Sequence, residues 1–260
     1  MNPPKSPISV CLIAGNEAHR IRHALESVAG WAAEIIVVLN EDVNDGTDKI
    51  AESFGARVFR EPWKGFIGQK NSAAEKCTHP WLLNLDADEV VTPELQNEIA
   101  RLLASAKPVY AACEFPRCTF YCGRWIRHGD WYPDRVLRLW QRHAARWVGE
   151  EPHAHLQVTG QIGRLRSDML HYNAETFDRQ IVKISRYSED FLQDALARGR
   201  GATSFDLFIR PAWRFVRGYL FRLGFLDGWQ GIYIAWMTAF YTATRYAKVR
   251  AAQQSKPRTD

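Results

Sequence analysis

Over the first hundred positions, apolar residues come in short continuous runs separated by polar turns. Positions 8–14 form a nearly unbroken apolar run rich in β-branched residues, which predicts a buried strand. Gly15-Asn16-Glu17 makes a turn, and Ile21, Ala24, Leu25 and Val28 follow at helical spacing up to Gly30. A second buried strand is predicted over 34–39, then a polar turn over 40–46 and a short helix over 47–55. A shorter strand follows over 57–59, a helix over 67–76, a fourth strand over 81–85, and a helix opened by Pro93 that runs to Ala104. Strands alternating with helices predict βαβ units with right-handed crossovers, hence an α/β chain built on a mostly parallel sheet.

The pattern changes after Pro108. Strands are predicted over 109–115 and 136–140, joined by an aromatic loop over 120–133, and 146–158 reads as short and irregular. A long amphipathic helix is predicted over 175–198, with Ile181, Ile184, Tyr187, Phe191 and Leu192 along one stripe. Gly199-Arg200-Gly201 breaks it, and two further helices are predicted over 205–223 and 229–249. The expected division is a catalytic domain over 1–174, split into a nucleotide-binding half (1–107) and an acceptor half (108–174), plus a C-terminal helical region over 175–260.

Composition sharpens this picture. The net charge of +5 is uneven: residues 178–260 carry 14 Lys+Arg against 7 Asp+Glu, which leaves the remainder near −2. Basic residues interleaved with Trp, Phe and Tyr over 210–222 predict helices that lie on an anionic membrane surface. The longest charge-free stretch there, 228–244, is 17 residues with polar members, short for a span. No signal peptide is read at the N-terminus, and five cysteines without one predict reduced thiols in the cytoplasm. No nucleic-acid-binding motif is present.

The candidate chemistry lies at the ends of the predicted strands, where open α/β sheets bind ligands. Asp86-Ala87-Asp88-Glu89 closes the fourth strand, and two carboxylates at i, i+2 suit a Mg²⁺ or Mn²⁺ that also holds a diphosphate. Asn16 and Glu17 leave the first strand, and Asp42, Asn44, Asp45 and Thr47 leave the second; each group can bind a nucleoside or cap a turn. The segment 65–71 reads as a glycine-flanked turn into a helix with Lys70 beside it, a fair diphosphate site. Neither a dinucleotide-binding glycine fingerprint nor a Walker A loop occurs.

With these residues the chain resembles the family 2 glycosyltransferases, inverting sugar-nucleotide enzymes of the GT-A fold. The matching positions are the first two strands with Asn16-Glu17 and Asp45-x-Thr47, then Gly68-Gln69-Lys70-Asn71, and Asp86-Ala87-Asp88-Glu89. The motifs over 128–135, 138–140 and 224–231 look like small bacterial glycosyltransferases of lipopolysaccharide-core assembly. The resemblance implies a Rossmann-like nucleotide-binding half with flanking helices, and amphipathic C-terminal helices. It implies Asn16, Glu17 and Asp45 at the nucleoside, and Lys70 with Asn71 toward the diphosphate. Asp86 would touch ribose or metal, Asp88 would ligate metal, and Trp131, Tyr132, Asp134 and Arg135 would shape the sugar side. His153, which can face the same side of an extended segment as His155, is read as a metal ligand or as a structural, hydrogen-bonding residue. Two positions depart from the pattern. Asn40 stands where many relatives carry Asp, and Ala154 where relatives carry an acid suited to act as general base. That task is expected to pass to Glu151, then Asp134, with Glu150 and Asp130 behind them. The implied partners are a nucleotide-sugar donor, expected to be a UDP-sugar, a glycolipid acceptor and an anionic membrane, with no nucleic acid. The implied place is the cytoplasm, peripheral on the inner face of the plasma membrane. A catalytically weak glycan- or nucleotide-sugar-binding protein and a metal-dependent nucleotidyltransferase are the competing readings.

Overall fold

The structure, a computed structural model, describes residues 5–104, 109–150, 154–172 and 177–254. The chain divides into two compact units, one comprising residues up to Cys118 and Asp134–Tyr172, the other Thr119–Pro133 and the residues from 173 onward. The aromatic loop that the sequence assigned to the acceptor half therefore groups with the C-terminal helices.

The first unit contains β1 (Ser6–Ala14), α1 (Ile21–Ala29), β2 (Ala32–Asn40), α2 (Thr47–Ser53), β3 (Arg57–Glu61), α3 (Gly65–Glu75), β4 (Trp81–Asn84), β5 (Glu89–Val91) and α4 (Pro93–Leu103). β6 (Ala112–Tyr121) starts in this unit and ends in the second, where β7 (Arg124–Ile126) pairs back on it. The first unit then resumes with β8 (Asp134–Gln141), β9 (Ala145–Val148), β10 (His155–Val158), β11 (Ile162–Arg164) and β12 (Met169–His171). The sheet runs in the order β3-β2-β1-β4-β8-β6-β12-β5. β1 is parallel to β2 on one side and to β4 on the other, which explains its continuous apolar run: both faces are covered. Ile8, Val10 and Leu12 point into one core layer and Cys11 into the other, and β2 alternates in the same way with Ile35 and Val37 against Ile36 and Val38. α4 starts where Thr92 accepts a hydrogen bond from Leu95 N–H with Pro93 behind it.

Several expectations change in the structure. β4 stops at Asn84, so Asp86 and Asp88 do not share a strand face; they lie in the turn between β4 and β5. α3 begins at Gly65, so Lys70 and Asn71 sit well inside the helix rather than at its N-terminus. The stretch read as irregular contains an antiparallel pair, β9 with β10. β5, β11 and β12 escape sequence reading because three residues carry no measurable periodicity.

The second unit contains a 3₁₀ turn (Gly129–Trp131), α5 (Phe177–Ala197), α6 (Ser204–Val216), a π-helical turn (Arg217–Phe221), a 3₁₀ turn (Gly224–Asp227) and α7 (Gly228–Gln254). α6 opens with a capping box between Thr203 and Asp206. Two of the segments that resemble lipopolysaccharide-core enzymes, the one that starts at His128 and the one over 224–231, meet here. Asp227, 2% exposed, accepts from the backbone N–H groups of Arg127 (3.0 Å) and His128 (2.7 Å) and lies 3.0 Å from His128 Nδ1. Gly129 N–H donates to Arg222 O, and a Cβ on Gly231 would stand 1.8 Å from Gly224 O. Gly231 permits this close backbone approach, whereas Gly129 supplies a φ of 76°.

The arginines expected to face an anionic bilayer are engaged elsewhere. Arg210 pairs with Asp206, while Arg214, Arg217 and Arg222 all approach Asp130. Alongside Arg210, whose side chain is 52% exposed, α6 and its following turn leave large apolar side chains in the open: Phe208 is 71% exposed, Phe221 68% and Trp213 53%. Among the described residues no helix is long and apolar enough to cross a membrane.

Candidate active site

The exits of β1 and β2 are tied together by one carboxylate. Asp45 Oδ2 accepts from Ala18 N–H at 2.9 Å, and its Oδ1 accepts from Thr47 Oγ1 (2.6 Å) and Thr47 N–H (3.0 Å). These bonds, Thr47's hydroxyl first, hold the Asp45 carboxyl below its usual range. Thr47 Oγ1 also receives Glu17 N–H at 2.9 Å, and Asn16 Oδ1 receives Asn44 N–H at 3.2 Å. Asn16 and Asp45 remain exposed beside this frame, whereas the Glu17 carboxylate is taken up by Arg20 in a bidentate pair.

The turn after β4 is the electrostatic centre. Asp86 Oδ1 accepts from Lys70 Nζ at 3.0 Å and its Oδ2 from Arg138 Nη2 at 2.5 Å. Arg138 also donates to Asn84 Oδ1 at 2.7 Å and reaches Glu89 Oε1 at 3.4 Å. Glu89 is fully buried; Arg117 donates to it at 3.0 Å, and its other oxygen accepts Asp86 N–H at 3.0 Å. Arg117 continues to Asp134 Oδ2 through Nε (2.9 Å) and Nη2 (2.6 Å). Burial alone would raise the Asp86 carboxyl, but the charges of Arg138 and then Lys70 hold it well below the usual carboxylate range. Burial pulls the Lys70 ammonium down, against the opposing pull of Asp86.

Arg138 reaches this position through a bulge. Cys113 pairs with Leu139 and Glu114 with Leu137, so Arg138 is the residue left over in β8. Its guanidinium and the Lys70 ammonium both lie over the Trp147 ring, at 5.7 and 4.7 Å from the centroid. Asn71 does not turn toward this cluster: its amide donates to Trp147 O and accepts Trp147 N–H, both at 2.9 Å, fastening α3 to β9. Arg135 likewise lies apart, donating to Leu165 O at 3.3 Å and standing 4.0 Å from Glu114.

Asp88 looks elsewhere than Asp86. Its Oδ2 lies 3.6 Å from His171 Nε2 and 3.7 Å from Arg20 Nη1. The β5–β12 pairing sets this geometry, placing His171 opposite Glu89 and Tyr172 N–H on Asp88 O at 2.8 Å. Burial raises the Asp88 carboxyl, but the nearby His171 side chain leads the effects that bring it below its usual value. Among the described residues no three His, Cys, Asp or Glu side chains converge as a cage. His153, expected as a metal ligand, lies outside the described residues, as does Glu151. Glu150 is described and exposed. Asp130 belongs to the second unit and has Arg217 Nη2 on its Oδ1 at 2.6 Å. Sequence reading passed over Arg117 and His171, and it named Glu89 and Arg138 only as members of motifs, without a role. A histidine that closes a three-residue strand carries no local signal.

Residues 9–169 match the family described as Glycosyl transferase family 2, and the chain belongs to that family. An uncharacterized glycosyltransferase of Rickettsia prowazekii (strain Madrid E) is 30% identical over 259 residues, spanning 94% of this chain and 86% of that protein. The lipopolysaccharide core biosynthesis glycosyltransferase LpsC of Rhizobium meliloti (strain 1021) is 29% identical over 258 residues, spanning 94% of both. Among solved structures, mannosyltransferase PcManGT from Pyrobaculum calidifontis in complex with GDP-Man and Mn²⁺ superposes with a TM-score of 0.52. It is 12% identical, with 95% of this chain and 88% of that chain covered, a likeness of fold. The expected architecture, a mostly parallel GT-A sheet with flanking helices, is the one observed.

Proposed function

We propose that this glycosyltransferase is inverting and metal-dependent, and that it moves a hexose from a UDP-sugar to a hydroxyl of a lipopolysaccharide-core-like glycolipid. The observation that carries the metal is the Asp88–His171 pair. An oxygen and a nitrogen 3.6 Å apart fit as two ligands of one Mg²⁺ or Mn²⁺, leaving positions for diphosphate oxygens. The neighbouring cluster supports this. Lys70, Arg117 and Arg138 are matched by Asp86, Glu89 and Asp134, so the cluster has no spare positive charge for an incoming diphosphate. A bound divalent ion supplies that charge and stabilises the leaving nucleoside diphosphate. In this reading Asp86 sets Lys70 and Arg138 in place rather than ligating metal, while Asn16, Glu17 and Asp45 frame the nucleoside. A carboxylate takes the proton of the acceptor hydroxyl as that oxygen attacks the anomeric carbon from the face opposite the leaving group. The glycolipid acceptor is inferred from the likeness to LpsC over nearly the whole chain.

The test is mass-spectrometric detection of sugar transfer to lipopolysaccharide-core acceptors, with nucleoside diphosphate release measured for UDP- and GDP-sugars. Release with transfer from a UDP-sugar is expected. Transfer only from a GDP-sugar overturns the base assignment, and tight binding with no transfer returns the chain to the binding-protein reading. His171→Ala and Asp88→Asn should each weaken Mn²⁺ binding, read by titration calorimetry, by more than the roughly 10–100-fold lost when a group behind a ligand is removed. Undiminished Mn²⁺ affinity in both variants removes the metal site.

The same reading places the protein at a membrane, peripheral on the inner face of the plasma membrane. The exposed Phe205, Phe208, Ile209, Trp213 and Phe221 support insertion of an apolar face rather than attraction by arginine. Burying each such side chain contributes about 1.5–3 kcal/mol. The double variant Phe208→Glu/Trp213→Glu should remain in solution when vesicles of phosphatidylglycerol and phosphatidylethanolamine are floated, while the unmodified protein co-floats and loses little binding at high salt. Co-flotation of the variant, or complete release by salt, contradicts apolar insertion.

A further inference from the structure

The second unit holds a pocket of about 340 Å³ between the turn Gly129–Trp131 and the helices α5, α6 and α7. Helical spacing builds its walls. Gln180, Ile184 and Tyr187 come from one face of α5, Met237, Thr238 and Tyr241 from one face of α7, and Arg214 from α6. The turn adds Asp130 and Trp131.

The polar groups of these walls have fixed roles. The Asp130 side chain is only 6% exposed. Its Oδ1 is taken by Arg217 Nη2 at 2.6 Å, but its Oδ2 has no hydrogen-bond partner. Arg214 Nη2 stands 3.6 Å from that oxygen, an ion pair too long for a hydrogen bond. Gln180 Oε1 accepts from Tyr121 O–H at 2.8 Å, so its Nε2 is the end left to donate.

A buried acceptor without a partner calls for a donor. An ammonium donor would face the Arg214 guanidinium, and an anion would face the carboxylate. A neutral hydroxyl meets neither objection. Two adjacent hydroxyls fit better still, because one donates to Asp130 Oδ2 while its neighbour accepts from Arg214 Nη2. Gln180 Nε2 can serve a further hydroxyl. Trp131, Ile184, Tyr187 and Met237 supply apolar surface of the kind that meets the C–H face of a ring. Apolar walls with a few convergent polar groups make a small-molecule site, and such sites span roughly 300–1,000 Å³.

We propose that this pocket binds an uncharged sugar residue of the acceptor through two adjacent hydroxyls, held by Asp130 and Arg214, with its C–H face on Trp131 and Tyr187. The proposal rests on the reading of the chain as a transferase to a glycolipid, and it names the chemical class of one acceptor residue. Asp130 is here a binding group and takes no proton.

The experiment is a saturation-transfer NMR titration of the full chain with the methyl glycosides of glucose, galactose and mannose. Glucuronate and glucosamine serve as charged probes, and UDP and GDP affinities are measured by calorimetry. At least one methyl glycoside should bind with millimolar affinity, more tightly than either charged probe. Asp130→Asn should weaken that binding at least about tenfold and Tyr187→Ala severalfold, both at unchanged UDP affinity. Tyr187 is exposed, so its removal spares the fold. If Asp130→Asn does not fold, Tyr187→Ala and Thr238→Val decide by the same readout. Tyr187→Ala should also raise KM for a lipopolysaccharide-core acceptor severalfold with kcat little changed. Absence of glycoside binding at tens of millimolar, tighter binding of glucuronate or glucosamine, unchanged affinity in the variants, or an unchanged acceptor KM each overturns the proposal. Glycoside binding that depends on Tyr187, in a chain that binds neither UDP nor GDP, overturns the donor reading and leaves the pocket standing.

Discussion

Replacing Arg138 with Met is expected to lower stability by about 3–5 kcal/mol, the scale for removing one partner of a buried ion pair. Arg138 is 10% exposed and serves Asn84, Asp86 and the fully buried Glu89 from one planar fork. Met fills much of the volume but leaves Asp86 to Lys70 alone and Glu89 to Arg117 alone. Arg138→Lys should recover only part of the loss, because a single ammonium cannot reproduce the fork. In thermal unfolding, each kcal/mol should cost about 2–4 °C. The dependence on pH has a definite sign. The folded-state carboxyl of Asp86 is depressed, so its contribution is complete above its unfolded value of about 3.9 and fades as pH falls below that toward the folded value. Wild-type protein loses that contribution on acidification, and a variant whose Asp86 is less depressed loses less. The gap between them should therefore narrow below about pH 4. A loss under about 1 kcal/mol, or a gap that stays constant on acidification, would show that the cluster contributes little to folding.

The parts of this molecule legible in the sequence are those fixed by neighbours along the chain. The apolar runs at 8–14 and 35–39 announce strands covered on both faces, and β1 between β2 and β4 is that arrangement. Asp86-Ala87-Asp88-Glu89 reads in the sequence as one candidate functional edge, yet in the structure its residues do three different things. Asp86 sets Lys70 and Arg138, Asp88 meets His171, and Glu89 is a buried anchor. Periodicity cannot separate these roles, because each is fixed by a partner far away in sequence. Arg138 lies 52 positions from Asp86, and Arg117 lies 28 positions from Glu89. The bulge that redirects Arg138 is a mismatch between two strands, which neither strand shows alone. Asn71 misleads for the opposite reason: its neighbours read as a helix start, while Gly68 sits inside the helix with its missing Cβ only 2.8 Å from Lys64 Cβ. The arginines over 210–222 carry a feature that composition does not show: a basic, aromatic segment reads the same whether or not its charges also meet a carboxylate, and here Arg214, Arg217 and Arg222 approach Asp130.

The largest kinetic effect is expected at the general base. Glu151→Gln should depress turnover by about 10²–10⁴-fold while leaving nucleotide-sugar affinity nearly unchanged, because loss of a proton acceptor acts on the transition state and not on donor binding. Of the alternatives, Asp130 is poorly suited, since its side chain is only 6% exposed and its Oδ1 is already engaged by Arg217 at 2.6 Å. Asp134 is the stronger competitor. Arg117 takes only its Oδ2, and the side chain is 42% exposed, which leaves an oxygen open to a substrate hydroxyl. The two are told apart by the pH profile of kcat together with stability. Removing the true base should abolish the acid limb of the profile without changing the melting temperature. Removing Asp134 as a mere partner of Arg117 should loosen the Glu89 anchor and lower the melting temperature while the acid limb survives. Collapse of turnover in Asp134→Asn with the melting temperature intact moves the assignment to Asp134. Loss in neither variant leaves Glu150, exposed beside Glu151, as the remaining acid to replace.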